Sequence, residues 1–242
     1  MVIRPSFLLV VTLGRCAAAL VQTGSLRVFC YGDSLTAGTS PPLDDLYPYA
    51  PVLEATIRST QMMDAEVMVR HRGLPGATAA LMLQYADDEQ RGLRALLRKT
   101  RPNLAIITAG TNDLGYNSES APILEALCGL HELSHALGVA TLAVGIPPSA
   151  YQAMHSEAAE LANMVNNELR HWCKGCGLCE YVDHPISTWG QGDARWAPDG
   201  LHFSPVGYTA IGEGLAGVAV ACLESQRSWG AETCDKPQQR AQ

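Results

Sequence analysis

The chain has 242 residues, 47% of them hydrophobic and 17% charged, so it is long and apolar enough to bury one sizeable core, and a mainly disordered chain is excluded. Its net charge is −7 and it carries no run of Lys or Arg of the kind that tracks phosphates, so nucleic acid is not an expected partner. No stretch reads as the ~18 consecutive apolar residues of a spanning helix, so no integral membrane segment is expected.

The N-terminal segment, residues 1–25, carries the pieces of a secretory signal. Arg4 precedes the apolar stretch 7–13, and Ala17, Ala18 and Ala19 supply small residues. The apolar core is short and Arg15 interrupts it. That weighs toward a cytoplasmic protein with an extra N-terminal segment; a cleaved signal is the alternative.

Residues 26–31 read as a short buried strand that runs into Gly32, Asp33 and Ser34. The prolines and acids of 40–48 make a loop. Residues 49–60 fit a helix with Val52, Leu53, Thr56 and Ile57 on one face. Residues 65–70 alternate as a second strand, followed by turn chemistry at 72–76. Thr78 suits an N-cap for one helix running to about Lys99. Residues 104–109 are a continuously apolar strand, hence covered on both faces, ending at Gly110, Thr111, Asn112 and Asp113. A helix is expected at 121–137, a strand at 139–144, a helix from about 156 to 172, and a strand at 178–182. A long loop, 183–204, holds Trp189 and Trp196. Pro205 opens a final helix to about Leu223, and residues 226–242 read as a loose polar tail. Short apolar strands alternating with helices argue one α/β domain, 26–225, with a parallel sheet covered on both faces. In such sheets ligands sit at the carboxyl ends of the strands.

A serine at a strand end needs a base, an orienting acid and oxyanion donors. Of the seven histidines, His131, His135, His155 and His171 fall in or beside helices and read as ordinary helix residues. His71 and His184 follow strands, and His71 could line a pocket. His202 differs: Asp199 precedes it by three residues on a short glycine-containing turn, so acid and base can meet locally. Asn112 offers a side-chain amide, and Gly76 and Ser34 offer backbone N–H groups. Each also has an ordinary reading, as a turn residue or a helix cap.

Together, Gly-Asp-Ser-Leu at 32–35, Gly76 in Leu-Pro-Gly-Ala-Thr, Gly110-Thr-Asn112-Asp113 and Asp199-Gly-Leu-His202 resemble the four blocks of the SGNH (GDSL-type) hydrolase superfamily, in order, across residues 26–208. The resemblance implies a flavodoxin-like three-layer α/β/α sandwich with a five-stranded parallel sheet. It implies Ser34 as nucleophile, His202 as general base and acid, and Asp199 as the acid that orients it. Ser34 N–H, Gly76 N–H and the Asn112 side chain would form the oxyanion hole. The implied activity is hydrolysis of a small-molecule ester, an acyl ester or an acetylated sugar, through an acyl-enzyme, with no cofactor or metal. An acyltransferase on the same machinery and a non-catalytic carbohydrate- or lipid-binding relative are the alternatives. Ala77 departs from the pattern, since many relatives carry a polar residue there. Loops 40–48 and 184–198 have no motif counterpart and are expected to shape the pocket, where Trp189 and Trp196 either stack on substrate or cover the core edge.

Two further features are read as structural. Cys173, Cys176 and Cys179 have metal-like spacing but no evident fourth ligand, so free thiols are expected ahead of a disulfide or a metal. Asp33 and Asp113 are expected to hold turns by accepting backbone N–H groups.

Overall fold

The computed structural model describes residues 25–59 and 65–234, with 226–234 described by backbone alone. The possible signal at the N-terminus lies outside the described residues. Five strands, β1 (Leu26–Gly32), β2 (Val67–Gly73), β3 (Leu104–Thr108), β4 (Ala140–Val144) and β5 (Cys179–Val182), form one parallel sheet in the order β2-β1-β3-β4-β5. The expected doubly covered parallel sheet is therefore present, in the flavodoxin-like strand order. The order reverses between β1 and β3, which is where a ligand crevice forms in such sheets. Gly32 pairs with Gly73 on one side and with Thr108 on the other, so three strand ends meet beside Ser34.

Strand side chains alternate between faces, and the two faces build two cores. Val28, Cys30, Leu104, Ile106, Leu142 and Val144 point to helices α2 (Tyr49–Ser59) and α8 (Pro205–Cys234). Phe29, Tyr31, Ala105, Ile107 and Ala143 point to α3 (Ala79–Gln84), α4 (Leu93–Thr100), α5 (Ser120–His135) and α7 (Ser156–Gly175). Two short helices complete the chain: α1 (Ser34–Ala37), directly after β1, and α6 (Ala150–Met154).

Two expectations are corrected. The single helix from Thr78 to Lys99 is broken into α3 and α4. Thr78 does cap α3, accepting the Leu81 N–H at 3.2 Å. At the break, the Asp88 side chain accepts the N–H groups of Gln90 and Arg91, each at 3.0 Å, and so stabilises a turn in place of helix. The final helix does not stop near Leu223 but continues to Cys234.

The apolar composition of α8 has its own cause. Its segment Pro205–Ser225 is long and apolar enough by composition to cross a membrane, with mean hydropathy 1.5. More than half of that segment is buried inside the protein, against α2 and the sheet. Ile211, Leu215, Ala216 and Ala219 lie in the core, which accounts for the apolar composition.

Candidate active site

Ser34 is placed by its own local structure. Asp33 caps α1, its Oδ1 accepting the Leu35 N–H at 2.8 Å, and Ser34 is the first helical residue. Gly38 closes the helix in the left-handed conformation and returns its N–H to the Ser34 carbonyl at 3.0 Å. The serine is thus fixed at the mouth of β1, buried except for a small opening.

His202 comes from the far end of the chain, yet its Nε2 lies 2.9 Å from Ser34 Oγ. Its Nδ1 lies 2.6 Å from Asp199 Oδ2. The other oxygen, Asp199 Oδ1, accepts the N–H groups of Leu201 and His202, each at 3.0 Å. Burial works to raise the Asp199 carboxyl, but the hydrogen bonds from the His202 ring and from these two N–H groups outweigh it and hold the acid below its ordinary value. An ionised Asp199 keeps the proton of a neutral imidazole on Nδ1, which leaves the Nε2 lone pair facing Ser34.

The turn under this pair depends on Gly200, at φ +67°. A Cβ there would stand 2.5 Å from Ala150 Cβ, so both backbone and space require glycine. Phe203, the residue after the histidine, anchors the turn. It is fully buried, with Trp196 at 4.4 Å, the His184 ring stacked at 5.2 Å and Tyr208 edge-on at 5.7 Å. Trp196 therefore covers the core edge, whereas Trp189 is half-buried beside Gly200. Phe203 was not singled out from sequence; its signal was an aromatic next to the candidate base.

The expected oxyanion donors sit at neighbouring strand ends. Among the described residues the N–H groups of Ser34 and Gly76 take no intramolecular acceptor. Asn112 opens a 3-10 turn (Asn112–Gly115) after β3, and its Nδ2 donates to Ala77 O at 2.9 Å, leaving its second N–H available. Asp113 accepts the Ala79 N–H. Both Asp33 and Asp113 thus hold backbone N–H groups, as expected. Complete burial pushes Asp33 up to about 7, against the opposing hydrogen bond from Leu35.

The other histidines are accounted for separately. His184 is buried, with Nδ1 3.1 Å from the Ile186 N–H nitrogen, and burial lowers it to about 4, so it stays neutral. His71 lies on the exposed edge strand β2, in register with Cys30. Among the described residues no group of three His, Cys, Asp or Glu side chains is arranged to hold a metal ion.

The sequence profile of the GDSL-like Lipase/Acylhydrolase family matches residues 30–210. A comparison with curated protein sequences finds no match. Among solved structures, the fold is similar to TesA (TM-score 0.62, 19% identity, 83% of this chain and 99% of that one). It is also similar to a family 3 carbohydrate esterase of Clostridium thermocellum (TM-score 0.64, 16% identity, 83% and 98%). A third similar structure is Est24, a carbohydrate acetylesterase from Sinorhizobium meliloti (TM-score 0.61, 20% identity, 81% and 99%). At these identities the structures speak for the fold, and the profile, which spans most of the chain and contains all four motif blocks, speaks for the family. This protein belongs to the GDSL-like lipase/acylhydrolase family and is a hydrolase of ester bonds.

Proposed function

We propose that the protein is a serine-dependent carboxylic ester hydrolase that works through an acyl-enzyme. The observation that carries this reading is the continuous contact from Ser34 Oγ through the His202 ring to Asp199. His202 Nε2 takes the Ser34 proton as Oγ attacks the ester carbonyl. The resulting oxyanion is held by the N–H groups of Ser34 and Gly76 and by the Asn112 amide. Collapse expels the alcohol, which receives the proton from His202 and leaves Ser34 acylated. Water then attacks the acyl-enzyme by the same route, with His202 again as base, and releases the acid.

An apolar acyl group is the favoured substrate part. A groove of about 340 Å³ begins at Gly76 and Ala77 and is walled by Leu74, Leu81, Met82 and Tyr85. Leu81 and Tyr85 are exposed there, as groove walls for an acyl chain should be. Half-buried Trp189 beside the His202 turn favours a second reading, an acetylated sugar stacked on its indole. A panel of p-nitrophenyl esters of increasing acyl length, run against acetylated sugars, tests both. Faster turnover of medium acyl chains than of acetate supports the first, turnover confined to acetyl sugars supports the second, and no turnover of any ester contradicts both.

A further inference from the structure

The groove proposed to take the acyl group has one charged residue in its lining, Arg91. The groove follows helix α3. Thr78 caps that helix beside Gly76 and Ala77, and Leu81 and Tyr85 lie one turn apart on the same face. The Arg91 guanidinium lies over the Tyr85 ring, 4.7 Å from its centroid. Tyr85 is the C-cap of α3, ~9 Å of helix rise beyond its first residue, Ala79. The cation therefore stands at the end of the groove away from the oxyanion donors.

Arg91 is held by both its backbone and its side chain. Its N–H donates to Asp88 Oδ1 at 3.0 Å, and its carbonyl accepts the hydroxyl of buried Tyr31 at 3.0 Å. Asp88 Oδ2 lies 3.3 Å from the guanidinium Nε, and the Tyr85 ring covers one face of the guanidinium. The Asp88 turn that separates α3 from α4 is thus also the turn that fixes Arg91 beside the groove.

No carboxylate lines the groove. Asp88 is outside the lining and engages Arg91 at Nε, which leaves the two terminal amino groups as donors for a ligand. Arg72 pairs in register with Tyr31 on the neighbouring strand, so it projects from the same face of the sheet and adds a second positive charge. Of the other acids on this turn, Asp87 is bound by Arg94, and Glu89 does not line the groove. A neutral alkyl chain that reached Arg91 would strip water from the cation and return no hydrogen bond. A carboxylate in the same place would accept two charge-assisted hydrogen bonds.

Given the ester-hydrolase reading and the acyl groove above, on which this rests, we propose that Arg91 binds a carboxylate at the far end of the substrate's acyl group. The preferred substrates are then half-esters of dicarboxylic acids. The ester carbonyl sits at Ser34, the methylene chain lies along Leu81, Met82 and Tyr85, and the free carboxylate meets the Arg91 guanidinium. The chemistry at Ser34 is unchanged: water cleaves the acyl–oxygen bond, and the products are the alcohol and the dicarboxylate. Selectivity has two sources, the ion pair made by the half-ester and the desolvated cation left by a neutral chain.

The test compares p-nitrophenyl half-esters of adipic and suberic acid with p-nitrophenyl hexanoate and octanoate, on the full-length protein. For the chain length that reaches Arg91, kcat/KM should favour the half-ester by about fivefold to tenfold, carried mainly by KM. The preference should shrink as salt is added, because Arg91 is partly exposed. Neither readout requires a variant to fold. Arg91→Gln should remove the preference, and Arg91→Lys should retain part of it, since lysine keeps the charge but not the paired donors. Equal or faster turnover of the neutral esters at both lengths, or a preference that survives in Arg91→Gln, would overturn the assignment while the hydrolase reading stands. No turnover of any ester would overturn that reading and the assignment with it.

Discussion

The Asp113 carboxylate accepts the backbone N–H of Ala79 through both oxygens, at 3.0 and 3.2 Å. The residue before it, Asn112, donates to Ala77 O at 2.9 Å. Two consecutive residues at the end of β3 therefore clamp the turn that carries Gly76. A donor is useful in an oxyanion hole only if it is held still before the charge develops. This clamp is how the third motif block acts on the second.

Removing the clamp should weaken both fold and catalysis. Asp113→Ala leaves the buried Ala79 N–H without its acceptor, which predicts a loss of about 1–3 kcal/mol in stability. Displacement of the Gly76 turn should lower kcat by on the order of tenfold to a hundredfold. Urea unfolding and steady-state kinetics on a p-nitrophenyl ester check the two parts. A variant with native stability and native kcat would show that the turn holds itself.

In the proposed mechanism Asn112 has two tasks, one for each N–H of its amide: one bonds Ala77 O and the other serves the oxyanion. Asn112→Ala should lower kcat by about 10²–10³ with a smaller change in KM, because an oxyanion donor acts on the transition state more than on bound substrate. A rise in KM alone would assign Asn112 to substrate binding.

Asp199→Asn keeps the size of the side chain but offers an amide where the imidazole needs an acceptor. The ring then turns or takes the other tautomer, and Nε2 no longer presents a lone pair to Ser34. The rate at neutral pH should fall by on the order of 10⁴. A fall of less than about tenfold would mean that His202 does not depend on Asp199 for its proton position.

Asp33 should leave its mark on stability against pH. Its folded value, about 7, lies above the ordinary aspartate value, so the native state binds this proton more tightly than the unfolded chain. Its contribution is complete below about pH 4 and is lost as the pH rises to about 7, with a slope of at most ~1.4 kcal/mol per pH unit. Asp113, also raised by burial, adds a contribution of the same sign. Asp33→Asn keeps an oxygen for the Leu35 N–H and cannot ionise. Its stability relative to the parent should therefore increase between about pH 4 and about pH 7 and level off above, measured by urea unfolding. A difference that does not change with pH would contradict this.

Much of this arrangement was legible in the sequence because it depends on local rules. Apolar runs such as 104–108 mark strands covered on both faces, and the glycines and acids at strand ends mark where the chain turns out of the sheet. Ser34, Gly76, Asn112, Asp199 and His202 were the candidates singled out from sequence, and the fold brings Ser34, His202 and Asp199 into contact. What escaped depends on long-range or competing interactions. The break between α3 and α4 comes from the Asp88 side chain competing for backbone N–H groups within an otherwise helical pattern. The Phe203 anchor needs Trp196, His184 and Tyr208 from other segments. Helix α8 looks like a membrane span by composition only because it is a core helix.

The central claim is that Ser34 is a nucleophile activated by His202. The most direct measurement is covalent labelling with a fluorophosphonate, followed by peptide mapping. The account predicts one label per chain on Ser34, blocked by prior acylation with substrate and lost in both Ser34→Ala and His202→Ala. A folded protein that remains unlabelled, or that carries its label on another residue, would contradict it.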